Sequence, residues 1–286
     1  MESVSPLTSP EVRALAGVHL FHYGLSNCSQ KARLVLEEKG IKWASHEVDL
    51  GRNEHVTPEY LRVNSKGVVP TLVDDGRVVV ESSDIMRYID ERFPDPPLCP
   101  DDALGYAEMG LWVARQDSIQ RSLRILSHEF LFKPVVRKSA ADIARYESLL
   151  TNHELIAFHR ECASTRGLAP SIVAGAIRVS EDALAEVNRH LRGRTWLVAD
   201  MFTLADIAWV VDVHRFVLMR FPMGAYPAVR RWYRRVIARP SFARAILSYE
   251  PVPVRRSFRF YTLRRWLSRT HAGSPRWRSG HLLANA

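Results

Sequence analysis

Cysteine is scarce in this chain: among 286 residues there are three, Cys28, Cys99 and Cys162. An odd number without paired spacing excludes a disulfide framework and offers no zinc ligand pattern, so a reducing cytoplasm is the expected setting. Equally missing are an apolar run of membrane-spanning length, a signal-like N-terminal pattern, an internal repeat, a low-complexity tract and a glycine-rich phosphate loop. A secreted, membrane-spanning or phosphate-loop protein is therefore not the expectation. The histidines are scattered without ligand spacing, and no metal is expected. No acidic residue and no lysine occurs beyond Glu250. Beyond it Arg255, Arg256, Arg259, Arg264, Arg265, Arg269, Arg276 and Arg278 supply eight of the nine net positive charges. The basic character thus belongs to residues 251–286, and the rest is close to neutral. At 47% hydrophobic content the chain can bury two modest cores.

The first third alternates strand and helix signals. Val18 to Tyr23 reads as a strand, Gly24-Leu25 as a turn, and Lys31 to Lys39 as a helix with Ala32, Val35 and Leu36 on one face. Cys28, in the segment Ser26-Asn27-Cys28-Ser29, then falls in the first helical turn. Unsatisfied N–H groups and the helix dipole favour an anion there, so a thiolate is stabilised, and Lys31 and Arg33 add positive charge nearby. A lone cysteine is more often a small buried apolar residue; its neighbours reverse that reading. Lys42 to Val48 reads as a second strand, followed by a short helix after Pro58. Pro70 to Val73 and Arg77 to Val80 form a hairpin around Asp75-Gly76. A proline heading the third strand cannot donate to a ladder, and a cis bond at Val69-Pro70 would turn the Val69 backbone outward, where an extended peptide can pair. Glu81-Ser82 opens the next helix, running to Arg92. A hydroxyl and free N–H groups can hold a carboxylate there while Glu81 holds an ammonium; Ser82 as a plain N-cap is the structural alternative.

In this order and spacing, residues 18 to 94 resemble the N-terminal, thioredoxin-like βαβαββα domain of a glutathione transferase. The Ser26 to Lys31 segment is similar to that of cysteine-type members such as the tetrachlorohydroquinone reductive dehalogenases and the zeta group. The resemblance implies glutathione as cosubstrate and Cys28 as the active thiol, with Ser26 or Ser29 as a hydroxyl donor to the glutathione sulfur. Val69, with Pro70, becomes the backbone partner of the glutathione cysteine, and Glu81 and Ser82 the γ-glutamyl site. His55 and Lys66 are the candidates for the glycine carboxylate.

The proline-rich break at Phe93 to Pro100 marks a linker, after which helical periodicity takes over. A long helix is expected from Ala103 to Phe132, then others over Ser139 to Leu150 and Ser171 to Leu191. Thr203 and Asp206 form a capping box ahead of an apolar helix to Leu218. This matches the all-helical C-terminal domain of the same family, with Asp206 structural. Expected domains are therefore 1–94, 101–250 and an arginine-rich tail, 251–286.

Function follows from the sulfur. A protein thiol repels a second thiolate and instead attacks a sulfur, so a cysteine-type site favours thiol exchange or removal of glutathione from small hydrophobic electrophiles. The expected protein is a cytoplasmic detoxification enzyme, a homodimer by resemblance. Two alternatives stay open. A hydroxyl-type conjugating or ether-cleaving transferase would use Ser26 or Ser29, and a non-catalytic binding module would act through its tail. Phe258, Tyr261, Trp266 and Leu267 interleave with the tail arginines, which suits an anionic membrane, a nucleic acid, or simple packing on the helical domain.

Overall fold

The computed structural model describes residues 9–136 and 138–275. In chain order the helices and strands are α1 (Pro10–Arg13), β1 (Val18–His22), α2 (Asn27–Glu38), β2 (Ala44–Glu47), α3 (Pro58–Leu61), β3 (Thr71–Asp74), β4 (Arg77–Val80), α4 (Ser82–Arg92), α5 (Ala103–Asp117), α6 (Gln120–Ser127), α7 (Ala140–Leu149), α8 (His153–Ala163), α9 (Pro170–His190), α10 (Leu204–Leu218), α11 (Pro227–Ile237), α12 (Pro240–Ala245) and α13 (Val252–Leu267). They fall into two compact units. One takes the chain up to Pro96 with Arg137–Gly167 and Arg244–Tyr249; the other takes Pro97–Val136, Leu168–Ala243 and the chain from Glu250 onward.

The first unit has the βαβαββα order that the sequence predicts. Its four strands run β2-β1-β3-β4, with β1 and β2 parallel and β3 and β4 antiparallel to their neighbours. Asp75 (φ 47°) and Gly76 (φ 78°) both lie in the left-handed region, the geometry that a two-residue hairpin between right-twisted strands needs. A side chain at Gly76 would also sit 2.2 Å from the Arg13 carbonyl. One sheet face carries a valine-rich core of Val48, Val63, Val69, Val73, Val78 and Val80 with Val12 and Tyr60.

Helix α2 starts four residues earlier than its apolar pattern predicts, because Ser26 caps it: the Oγ accepts from the Ser29 N–H at 3.3 Å. Every residue from Ser29 to Leu36 is buried. The segment 137–167 folds with this first unit, not with the helical one. Tyr146, Leu150, Leu155 and Ile156 join Val56 in a core cluster, with Leu61 and Val68 packed against it. At Gly67 (φ 61°) an added Cβ would stand 2.4 Å from the Leu150 side chain, so loop and insertion approach as closely as glycine permits.

In the second unit the single helix expected over 103–132 is broken. The Ser118 hydroxyl donates to the Arg115 carbonyl at 2.7 Å, and the Ile119 N–H turns to Gln116. A serine bonding its own helix backbone offers an alternative to the ladder, and the chain restarts as α6 before a π-helical turn at His128–Phe132. Helix α10 is buried from Leu204 to Phe216. The expected box is present, and Asp206 does more than cap: its carboxylate accepts from the N–H groups of Leu197 and Thr203, the Thr203 hydroxyl and the Trp232 indole. Burial still pushes Asp206 up to about 6, against the pull of those donors. Arg276 and Arg278 lie outside the described residues.

Candidate active site

Sheet register alone brings the candidate segments to one edge of the first unit. Phe21 pairs with both His46 and Thr71, and Thr71 pairs with Val80, so a single row crosses all four strands. Just past that row, β1 leads to Ser26 and Cys28, β2 to the turn holding His55, and β4 to Glu81 and Ser82. Val69-Pro70 enters β3 at the same place. This is the edge beyond the carboxyl ends of the parallel strands, where open α/β sheets take their ligands.

Cys28 sits at the second position of α2 and is half-buried. Its backbone N–H, in the first turn, has no intrahelical carbonyl to bond. The two serines beside it differ. Ser26 is half-buried and uses its Oγ as the cap acceptor, which leaves its hydroxyl proton to donate. Ser29 is fully buried, and its Oγ accepts from the Tyr23 N–H at 3.3 Å.

Lys31 and Arg33 are likewise fully buried. The Arg33 guanidinium donates to the carbonyls of Gly24 (2.8 Å), Ala245 (2.7 Å) and Tyr23 (3.3 Å), and to His22 Nδ1 at 3.1 Å. It also stacks 4.0 Å over the Tyr249 ring. Its charge is spent on holding the β1–α2 loop that carries Cys28.

The Val69-Pro70 bond is cis. The loop before it is tied by Tyr60, whose hydroxyl donates to the Val68 carbonyl at 2.6 Å, and by Asn64, whose amide reaches the same carbonyl at 3.0 Å. Glu81 has φ 67° and ψ 121°, a conformation that costs a residue with a side chain on the order of 1–3 kcal/mol. Ser82 follows it, buried at the first position of α4. The Glu81 carboxylate accepts from Lys66 Nζ at 2.5 Å, and both side chains are about half exposed. The two residues expected at opposite ends of a zwitterionic ligand thus neutralise one another.

His55 is buried in a short turn, and its surroundings fix its protons. Asn53 donates through Nδ2 to Asp142 (2.7 Å), so its Oδ1 faces Lys138 Nζ and the Tyr146 hydroxyl (2.8 Å). Tyr146 has spent its proton on Asn53 and must accept from His55 Nε2 at 3.0 Å. The remaining Nδ1 is a buried lone pair with no partner among the described residues. It suits a donor, not a carboxylate, which leaves Lys66 as the cationic candidate of the pair. None of this network was visible in the sequence, since Asn53 and Asp142 stand 89 residues apart.

Burial, reinforced by Arg33, lowers His22 to about 3, and burial, reinforced by Lys138, lowers His55 to about 4. Both rings are neutral in the folded chain, whereas an unfolded histidine titrates near 6.5. As pH falls below about 6.5 the unfolded chain takes up protons that these two sites refuse, so their contribution is intact above that pH and lost progressively toward about 4 for His55 and about 3 for His22. The limiting slope is about 1.4 kcal/mol per pH unit per group. Asp206, raised to about 6, binds its proton earlier when folded and offsets part of that loss. Urea midpoints at pH 7.5, 6 and 5 are expected to fall in that order, with a shallower fall in His22→Asn; an unchanged midpoint would contradict the neutral, buried assignment.

Comparison with known proteins gives the family and the fold. Residues 20–97 match the glutathione S-transferase N-terminal domain family and residues 170–235 the glutathione S-transferase C-terminal domain family, together just over half of the chain. The tetrachloro-p-hydroquinone reductive dehalogenase of Sphingobium chlorophenolicum is 29% identical over 247 residues, spanning 80% of this chain and 95% of that protein. Among solved structures, the beta-etherase LigF from Sphingobium sp. strain SYK-6 superposes with a TM-score of 0.73 at 24% identity, covering 80% of this chain and 98% of its own. A glutathione transferase from Burkholderia graminis, solved with two glutathione molecules bound per subunit, superposes with a TM-score of 0.62 at 22% identity over 82% of this chain and 88% of its own. The chain belongs to the glutathione S-transferase family and is an enzyme of that type, with glutathione as cosubstrate. No helix among the described residues is long and apolar enough to cross a membrane.

Proposed function

We propose that this transferase removes glutathione from carbon, with Cys28 as the nucleophile. The observation that carries the reading is the placement of a half-buried thiol in the first turn of α2, off the same sheet edge as Val69-Pro70 and Glu81-Ser82. Glutathione would lie along that edge with its γ-glutamyl ammonium on Glu81 and its α-carboxylate at Ser82 and the start of α4. Lys66, released from Glu81, would then face the glycine carboxylate. The backbone strain at Glu81 supports this, because strained residues persist where binding geometry demands them.

In the reaction, the Cys28 thiolate attacks the sulfur of a glutathionyl adduct. A sulfur–sulfur bond forms, the carbon–sulfur bond breaks, and carbon keeps the electron pair and takes a proton. A second glutathione thiolate then attacks the mixed disulfide, freeing Cys28 and releasing glutathione disulfide. Carbon is reduced and two glutathiones are oxidised, so the leaving carbon must tolerate negative charge. Small aromatic substrates meet that need, and the dehalogenase similarity fits it. The reading includes a cytoplasmic homodimer that serves detoxification. All three cysteines are thiols, and Leu104 and Leu111 leave an apolar face on α5.

A second reading has one observation behind it. Ser26, unlike Ser29, is accessible with a proton to donate, which suits a conjugating or ether-cleaving enzyme. Mass spectrometry of a panel of aryl glutathione conjugates incubated with the enzyme and glutathione separates the two. Removal yields the deglutathionylated product and glutathione disulfide in equal amounts; without free glutathione, the Cys28 peptide gains one glutathionyl group. Conjugation of an electrophile with no disulfide formed would refute removal.

A further inference from the structure

Among the described residues, the arginine-rich segment beyond Glu250 is packed on its own unit. It folds as α13, and one face is fastened to its own unit. Phe258, Thr262 and Arg265, spaced four and three apart, are buried. The Arg265 guanidinium donates to the Glu129 carboxylate at 2.8 Å and to its backbone carbonyl at 2.7 Å, and stacks 4.6 Å from the Phe130 ring. Phe132 packs edge-on against Phe258, with ring centroids 5.6 Å apart. This face anchors the helix and fixes its rotation.

The opposite face is the unusual one. At 100° per residue, Arg256, Arg259, Phe260, Leu263 and Leu267 fall on one stripe, with Trp266 at its margin, and all are exposed. Phe260 is 71% and Leu267 68% exposed, values that no core function explains. From the sequence, no acidic residue or lysine occurs anywhere after Glu250. The stripe is therefore both apolar and purely cationic.

That combination selects a partner. Two copies of the stripe would set arginine against arginine with no carboxylate to relieve them, which disfavours self-association. A nucleic acid would answer the charge but leave Phe260, Leu263 and Leu267 against phosphates and water. An anionic bilayer surface answers both, because apolar side chains enter the boundary between headgroups and acyl chains while arginines reach the phosphates and Trp266 lies at headgroup level. We propose that the outer face of α13 is a docking surface for anionic lipid, holding the enzyme reversibly on a membrane. The inference stands independently of which chemistry Cys28 performs.

The test uses the full chain and sedimentation with vesicles of phosphatidylcholine alone or with about one-third phosphatidylglycerol. Binding is expected only to the anionic vesicles, and to weaken as salt rises. The double variant Phe260→Glu/Leu267→Glu is expected to lower binding by about tenfold or more, and Arg256→Glu/Arg259→Glu to abolish the preference for anionic lipid. Activity on glutathione substrates should be unchanged in both. Equal binding to neutral vesicles, or none to either, overturns the proposal. So does retention of a labelled DNA duplex in place of vesicles, or a change of oligomeric state in Phe260→Glu/Leu267→Glu by light scattering. Vesicle binding that appears only after residues 276–286 are deleted would mean that the chain's own end covers the stripe, and would overturn it as well.

Discussion

Replacing Cys28 with alanine is expected to lower glutathione removal by about 10³-fold or more while changing glutathione affinity by less than about threefold. The asymmetry follows from the layout. Glu81, Ser82 and the Val69 backbone, which hold the peptide in the proposed reading, reach the site from β3, β4 and α4, whereas Cys28 comes from α2. Deleting the thiol therefore removes the attacking atom and leaves the cradle. Cys28→Ser sharpens the test. A serine hydroxyl is not ionised at neutral pH and does not displace carbon from sulfur, but it can donate a hydrogen bond to a glutathione thiolate. Removal should be lost in Cys28→Ser as fully as in Cys28→Ala, with any conjugating activity spared or raised. Ser26→Ala gives the counter-prediction: it loses the α2 cap, worth about 1 kcal/mol, but keeps the nucleophile. Should Cys28→Ala retain removal within tenfold while Ser26→Ala loses it, the hydroxyl reading would replace the thiol one.

The parts of this site that sequence could reveal are the local ones. Ser26, Cys28, Asp75-Gly76 and Glu81-Ser82 lie at strand ends and helix starts, where a few adjacent residues dictate the backbone, and the βαβαββα order followed from them. The capping box at Thr203 and Asp206 was legible for the same reason, since four consecutive residues contain the whole device. What escaped was built across long separations. Lys31 and Arg33 read as cations near a thiol, yet both are buried, and Arg33 bonds a carbonyl 212 residues away. The polar stretch after Ser139 carries helical signals but no sign that Tyr146 would meet His55 or that the segment would pack on the first unit. Nor did periodicity separate the two faces of α13, because apolar residues and arginines occur on both. Only the partner of each face tells anchor from exposed stripe.

Arg33→Met is expected to destabilise the first unit by roughly 3–5 kcal/mol, because it strips a buried cation from a site built around its donors. The carbonyls of Tyr23, Gly24 and Ala245 would each lose a guanidinium hydrogen bond, His22 Nδ1 would lose its donor, and the Tyr249 face its cation. With that neighbouring charge gone, one of the causes that hold His22 low disappears, so the acid-driven loss of stability should become less steep. Arg33→Lys is the informative companion. An ammonium keeps the charge but lacks the planar fork that reaches several carbonyls at once, so it should recover only part of the stability. The consequence for function is positional. Tyr23 and Gly24 form the loop that delivers Ser26 and Cys28, and freeing that loop should weaken turnover at temperatures where Arg33→Lys is still fully folded. Urea unfolding of both variants, with turnover measured well below their midpoints, checks the two claims separately. A midpoint close to that of the parent in Arg33→Met would show that the buried guanidinium is dispensable, and undiminished turnover in a folded Arg33→Lys would show that Cys28 does not depend on it for its placement.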